Sequence, residues 1–262
     1  MRLTRVYVEA ALLPGSLVEL PADTAAHLVK VLRARSGDEV ILFNGSGLEF
    51  NGAIDAMRGS RVSVAVGDSR LVDRESPLRV TLMQCVPRGD RMDFIVQKAT
   101  ELGVDRIVPV LSQRSVVRLD KTQAESKAVH WRAVSVSACE QCGRNRLPTI
   151  EPARPLLDYL GEAAPPKGPR LVFEPDSAPH ASAQAGGVAP TIPALDAEIA
   201  IGPEGGFAPD ELEAFRVAGF SQVGLGPRVL RTETAAIAAL VWLQVRFGDL
   251  QMAHGASRTA DA

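Results

Sequence analysis

From Arg79 to Phe247, short apolar runs alternate with segments of helical spacing, and few folds are open to a chain patterned this way. Arg79–Val86, Arg106–Leu111, Arg170–Phe173, Glu198–Ile201 and Gln222–Leu225 read as strands. Arg91–Leu102, Thr122–Cys142, Asp210–Ala218 and Thr232–Phe247 read as helices, and Gly103 supplies a stop after the first of them. A helix between two strands carries the chain back across one face of the sheet. The strands are therefore expected to run parallel, covered on both faces, in an α/β fold.

Residues 1–72 follow a different rule. Arg5–Val8, Leu17–Leu20, Glu39–Phe43, Leu48–Ala56 and Arg61–Val66 are short strand-like runs, punctuated by Asn44-Gly45-Ser46-Gly47 and Arg58-Gly59-Ser60. A single helix, Asp23 to about Arg33, interrupts them, which suggests a small barrel. Asp73-Arg74-Glu75-Ser76-Pro77 reads as a linker, so the expected domains are 1–72 and 76–249. Pro175–Pro193, rich in Pro, Ala, Gly and Ser, reads as a flexible insertion within 175–195, and 250–262 as a disordered tail.

Net charge is −2, so no global basic field announces nucleic acid. Residues 111–146, however, hold seven Lys or Arg against Asp120, Glu125 and Glu140, and such a local excess can bind phosphate or simply form a solvated face. Three cysteines fit a reduced protein. Cys139 and Cys142 form a C-x-x-C at the end of a helical stretch, with no second pair of ligands to complete a zinc site, so neither metal nor redox chemistry is expected there. No apolar run is long enough to span a bilayer, and the start MRLTRVYVEA lacks a signal-peptide layout, which makes a cytoplasmic address the expectation.

Two loops carry the chemistry, each at the carboxyl end of an expected strand, where open α/β sheets bind ligands. The first is Ile201-Gly202-Pro203-Glu204-Gly205-Gly206-Phe207, leading into a helix start at Pro209-Asp210-Glu211. Its glycines admit close backbone approach, but it lacks the spacing and the lysine of phosphate loops. The second is Leu225-Gly226-Pro227-Arg228-Val229-Leu230-Arg231-Thr232-Glu233-Thr234-Ala235, where two arginines precede a helix. That helix, Thr232–Phe247, is apolar on nearly every side and so needs cover on nearly every side, from a central position or from a subunit interface.

Gly202–Phe207 and Leu225–Ala235, in this order, resemble the signature loops of the 16S rRNA (uracil-1498-N3)-methyltransferase family of the SPOUT class. The resemblance covers nearly the whole chain. It includes Arg88-Gly89-Asp90-Arg91-Met92 with Gln97–Val104, then Glu140-Gln141-Cys142-Gly143-Arg144, and His27–Arg33 followed by Gly37-Asp38. It implies a parallel sheet with a deep trefoil knot, preceded by a PUA-like RNA-binding domain, in a homodimer without metal. It implies S-adenosylmethionine as cofactor and the 16S rRNA of the small ribosomal subunit as partner. The cofactor would be held largely by backbone groups at Phe173, Glu174, Gly202, Pro203, Glu204, Gly205, Gly206, Leu225, Gly226, Val229, Leu230, Thr234 and Ala235. Gly205 is the position where a side chain is expected to block it.

Methylation at uracil N3 requires the imide proton to leave and the resulting anion to be stabilised. Arg231 and Arg228 are the candidates for stabilising the anion and Glu204 the candidate for handling the proton. Arg5, Arg33, Arg88, Arg91, Arg114 and Arg144 are candidates for phosphate contacts, each also readable as an ordinary surface arginine. A SPOUT enzyme acting on a ribose 2′-hydroxyl and a non-catalytic RNA-binding assembly factor are the alternatives. The intact glycine loops favour an enzyme.

Overall fold

The computed structural model describes residues 3–30, 32–59, 61–162, 168–175 and 196–250. The expected insertion from 176 onward and the expected tail from 251 lie outside the described residues. The chain divides into two compact units, one drawn from Met1–Glu75 and Ala133–Leu147, the other from Ser76–Arg132 and Pro148–Ala262.

In the first unit, β1 (Thr4–Tyr7), β2 (Leu17–Glu19), β3 (Glu39–Phe43), β4 (Leu48–Arg58) and β5 (Arg61–Leu71) form one sheet in the order β1-β3-β4-β5-β2. Only the β1–β3 pair is parallel. The order leaves β1 and β2 as the end strands of this pairing. Alternation in β5 buries Val62, Val64 and Val66, which pack with Leu42, Phe50, Ile54 and Leu28 of helix α1 (Ala22–Lys30). Gly52 belongs to this packing, because a Cβ there would meet Val64 Cγ1 at 2.8 Å. β5 runs five residues past its expected end, since Ser69, Arg70 and Leu71 pair with Phe50, Glu49 and Leu48. Residues 68–71 are exposed, so no hydrophobic alternation marks them. Helix α1 stops short of the expected Arg33, where the backbone turns left-handed at φ 53° and the Ala34 amide donates to the Leu28 carbonyl.

The second unit holds β6 (Arg79–Cys85), α2 (Arg91–Glu101), β7 (Arg106–Leu111), α3 (Lys121–Cys142), β8 (Thr149–Ile150), β9 (Arg154–Pro155), α4 (Leu156–Glu162), β10 (Arg170–Phe173), β11 (Asp196–Ile201), α5 (Pro209–Val217), β12 (Ser221–Val223) and α6 (Thr232–Phe247). The last part of α3, from Ala133, counts with the first unit. Every strand pairs in parallel, in the order β12-β10-β11-β6-β7-β8 with β9 also on β7. β10 is buried at every residue and β11 at all but its first, as in sheets covered on both faces. Phe207, Phe215 and Phe220 stack edge-to-face with 4.9 Å between successive centroids and seal one side of the core.

β8, β9 and α4 were not anticipated. Pro109 accounts for the split of the outer strand in two. It brings no N–H to the ladder, and β8 pairs with Arg106 and Ile107 while β9 pairs with Val110 and Leu111. Two-residue strands carry no readable period. Helix α6 buries Ala236, Ala239, Leu240, Leu243 and Gln244 but leaves Val241 and Val245 exposed, so the described residues cover only part of the helix. Among the described residues, no helix is long and apolar enough to cross a membrane.

Candidate functional site

The carboxyl ends of β10, β11 and β12 converge on a cavity of about 270 Å³. Its walls are Phe173, Glu174 and Pro175 after β10; Ile201, Gly202, Pro203, Glu204 and Gly206 after β11; and Leu225, Arg228, Val229, Leu230, Arg231, Thr232 and Ala235 between β12 and the first turn of α6. The Glu174 amide donates to the Val223 carbonyl at 3.0 Å, which ties the first wall to the strand that begins the third.

The glycine loop is held from several directions. Gly206 turns at φ 66°, with its amide donating to the Pro203 carbonyl at 3.0 Å. Arg91 Nη1 donates to Glu204 Oε1 at 2.5 Å, and Arg114 Nη1 donates to the Gly205 carbonyl at 3.0 Å. Buried Glu211 accepts from the amides of Ala208 and Gln113, each at 2.8 Å, and so joins the start of α5 to the segment after β7. The second and third walls are joined through a buried chain. Gln84 Nε2 donates to Thr232 Oγ1 at 2.9 Å, and Thr232 Oγ1 donates to the Gly202 carbonyl at 2.8 Å. Gln84 is fully buried at the end of β6, among apolar neighbours.

The local field is negative beneath the loop and positive at its mouth. Burial pushes the Cys85 thiol up, out of the reactive range, and the carboxylates of Glu211, Glu174 and Glu204 add to the effect. Arg228 and Arg231 are exposed on the cavity wall, with no side-chain partner recorded among the described residues.

Of the positions expected to bind or act, the cavity gathers Phe173, Glu174, Gly202, Pro203, Glu204, Gly206, Leu225, Arg228, Val229, Leu230, Arg231 and Ala235. Gly205, Gly226 and Thr234 do not line it. Gly226 turns the loop at φ 89°, and Thr234 faces solvent. Pro175, Ile201 and Thr232 line it without having been anticipated; the only signal for Thr232 was its place at a helix start. Glu204 is on the wall, and Arg91 holds its Oε1.

The arginines expected on phosphate divide sharply. Arg33 and Arg88 are exposed, while Arg91 and Arg114 are engaged on the glycine loop. Arg5 and Arg144 require a correction. Arg5 is 7% exposed and bonds to Glu49, to Asn145 Oδ1 at 2.6 Å and to the Arg144 carbonyl at 3.2 Å. Arg144 is 6% exposed and bonds to Glu75 Oε2 through Nε and Nη2, at 2.9 and 2.5 Å. Both are held inside the first unit, where phosphate cannot reach them. Cys139 is buried with its thiol donating to the Arg146 carbonyl, and its hydrogen bond with Cys142 together with burial pushes it up. Among the described residues, no group of three metal-ligating side chains gathers anywhere.

A family model described as an RNA methyltransferase domain matches residues 74–244, and one described as an RNA methyltransferase PUA domain matches residues 20–66. The chain is 32% identical over 254 residues to a ribosomal RNA small subunit methyltransferase E of Buchnera aphidicola, covering 95% of this chain and 98% of that one. It is similar to a solved ribosomal RNA small subunit methyltransferase E of Neisseria gonorrhoeae bound to S-adenosylmethionine, with 34% identity, a TM-score of 0.83, and coverage of 95% of this chain and 100% of that one. A Legionella pneumophila protein solved with bound S-adenosylmethionine matches with 38% identity, a TM-score of 0.86 and the same coverage.

Proposed function

Because this chain belongs to the ribosomal RNA small subunit methyltransferase E family, we propose that it uses S-adenosylmethionine to methylate N3 of one uridine, the 1498-equivalent, in the 16S rRNA of the small ribosomal subunit. The observation that carries the reading is the cavity itself, glycine-walled below and open above beside two arginines with no carboxylate partner among the described residues.

The residues present fit the cofactor. Phe173, Ile201, Leu225 and Leu230 offer apolar walls for a flat base, and the Glu174 carboxylate suits a cationic centre. Gly202 and Gly206 form the second wall, where a Cβ at Gly202 would crowd the Phe207 ring at 3.3 Å and Gly206 is left-handed. When bound, S-adenosylmethionine supplies a methyl group on positively charged sulfur. The protein's own task is to make uracil N3 ready for it. That nitrogen must lose its proton, and the negative charge then spreads over O2 and O4. In this reading Arg231 and Arg228, both on the cavity wall, hold a carbonyl oxygen and stabilise that anion, with the proton leaving to water at the open mouth. Glu204, fixed by Arg91 through Oε1, shapes the loop.

Three further features belong to this reading. The C-terminal segment is knotted, which the insertion of β10 between β11 and β12 supports. The active form is a homodimer, because exposed Val241 and Val245 leave α6 needing cover. Its place is the cytoplasm, with its RNA.

Reverse transcription of rRNA from cells with and without the gene tests the reaction. N3 methylation removes the donor that pairs with adenine, so extension should stop at one uridine only when the gene is present. Free read-through, combined with a linkage newly resistant to alkali, would establish ribose 2′-O-methylation instead.

A further inference from the structure

Three arginines of the first unit gather over the beginning of β4. Glu49, with a side chain 2% exposed, accepts from Arg70 Nη2 at 3.1 Å and from Arg74 Nη1 at 2.7 Å, besides its buried bond from Arg5. Arg74 Nη1 also donates to the Gly143 carbonyl at 2.8 Å. Two residues before Glu49, Gly47 turns at φ 93°, and the Arg146 guanidinium lies so close that a Cβ on Gly47 would stand 3.0 Å from its Nη2. The Arg70 and Arg74 side chains remain 63% and 43% exposed, and Arg146 is exposed with no side-chain partner recorded among the described residues.

Neutralising Glu49 does not require this arrangement. One buried carboxylate is already matched by one buried guanidinium, Arg5. Arg70 and Arg74 add two positive charges beyond that match, and Arg146 adds a third without touching Glu49. Arg5, Arg70, Arg74, Arg144 and Arg146 face Glu49, Glu75 and Glu140, the last accepting from the Tyr7 amide, so the cluster carries a net positive charge. The buried acid anchors Arg70 and Arg74 by one nitrogen each and leaves the rest of each planar fork facing water. A guanidinium held this way has lost much of its conformational freedom before any ligand arrives, and its remaining donors match phosphate oxygens.

We propose that Arg70, Arg74 and Arg146 form a phosphate-binding patch that grips the sugar–phosphate backbone of the RNA substrate. The proposal rests on the RNA methyltransferase reading above. Phosphate contacts position a protein without reading sequence, so the patch supplies affinity and register while the cavity supplies chemistry.

The test is equilibrium binding of the full-length protein to a 16S rRNA fragment carrying the target uridine, over a series of KCl concentrations. Arg70→Ala and Arg146→Ala should each weaken binding by about threefold to tenfold and reduce the salt slope by about 0.7 to 0.9. S-adenosylmethionine affinity by calorimetry should not change. Arg70→Lys and Arg146→Lys keep the charge and should keep most of the slope, which separates phosphate contact from a folding defect. The informative contrast is Arg146, which does not touch Glu49. If Arg146→Ala leaves affinity and slope intact while Arg70→Ala only lowers the melting temperature, the cluster is structural and the patch is overturned. Wild-type protein that methylates the RNA while both alanine variants bind it normally would overturn the patch alone. Wild-type protein that binds no RNA would overturn both readings.

Discussion

Arg5 and Arg144 in the first unit lie buried against Glu49 and Glu75, whereas Arg228 and Arg231 in the second lie along a cavity with no carboxylate against them among the described residues. Both sets flank motif-like segments, and both were candidates for touching RNA. The difference lies in what is packed beneath each guanidinium. A carboxylate 2% exposed, such as Glu49, leaves a buried arginine nothing else to do, because a charge taken out of water must be paired where it is. The cavity arginines stand beside loops whose acids are committed elsewhere: Glu204 to Arg91, Glu211 to two backbone amides. A buried guanidinium that the fold has supplied with an anion is closed to a ligand, whereas one that keeps exposed donors beside its anion, as Arg70 and Arg74 do beside Glu49, is not.

The largest effect that could break this comparison lies in the buried set. Removing Arg5 strips Glu49 of its buried partner, and breaking such a pair costs about 3–5 kcal/mol. Arg5→Ala should therefore unfold at markedly lower denaturant, while its RNA-binding salt slope stays that of the wild type. The same pair sets an acid limit. Burial pushes the Glu49 carboxyl up, but hydrogen bonds from Arg74 and Arg5 and their charges outweigh it, leaving it lowered to about 2 from an ordinary 4.5. A carboxyl lowered in the folded state contributes stability that is complete above 4.5 and lost as pH falls toward 2. Melting curves between pH 6 and pH 2 should show this loss in the wild type and a shallower one in Arg5→Ala. Equal acid sensitivity in the two proteins would mean that the pair is not what holds Glu49.

Next in size is the open set. Arg231→Ala should lower the single-turnover rate on the order of a hundredfold, about what one donor to a developing oxyanion contributes. Lys at this position should recover only part, since a point charge does not reproduce a two-pronged guanidinium. Rates at saturating cofactor and RNA decide the matter. An unchanged rate with weakened RNA binding would place Arg231 with the phosphate contacts.

How much of this was legible in the residues follows from the same distinction. The five major strands and four major helices of the second unit were readable because burial on both faces leaves continuous apolar runs. The two glycine-rich loops were readable because close backbone approach restricts residue type. Pair partners were not. Nothing near Arg5 in sequence points to Glu49, which is 44 residues away, and nothing near Arg144 points to Glu75. Thr232 was read as a helix start, and its contact with Gly202 depends on β6 and β11 being adjacent, so that Gln84 sits opposite Ile201. The exposed end of β5 and the broken edge formed by β8 and β9 carry no hydrophobic period at all.

The Gln84–Thr232–Gly202 chain gives a sharper version of the comparison, since it is a buried polar feature that serves the cavity. Thr232→Val keeps the shape and loses both hydrogen bonds, and should weaken S-adenosylmethionine binding about tenfold, near the value of one or two neutral hydrogen bonds. Gln84→Met should cost a similar factor. If the two act through one chain, the double variant should be little worse than either single one, and Thr232→Ser should restore affinity. Calorimetry on the four proteins reads this directly. Additive losses would show that Gln84 supports the fold by some other route.

A last contrast separates two neighbouring glycines. The glycine loop made Gly205 the position where a side chain is expected to block the cofactor, by filling space that the backbone leaves open. The geometry transfers that sensitivity by one residue. Gly205 is not on the cavity wall, and a Cβ there would meet Arg114 Cβ at 3.4 Å, an ordinary contact with the segment that already pins the loop. Gly206 is on the wall and turns at φ 66°, a conformation that costs an L side chain roughly 1–2 kcal/mol. Gly206→Ala should let the free loop relax out of this turn and weaken S-adenosylmethionine binding about fivefold to thirtyfold, the cost of restoring the turn on binding, whereas Gly205→Ala should stay within about twofold of the wild type. Titration of both variants at one temperature is enough to compare them. A reversed order, with Gly205→Ala the weaker binder, would mean that the loop rotates when the cofactor enters, so that the wall seen here is not the wall that binds.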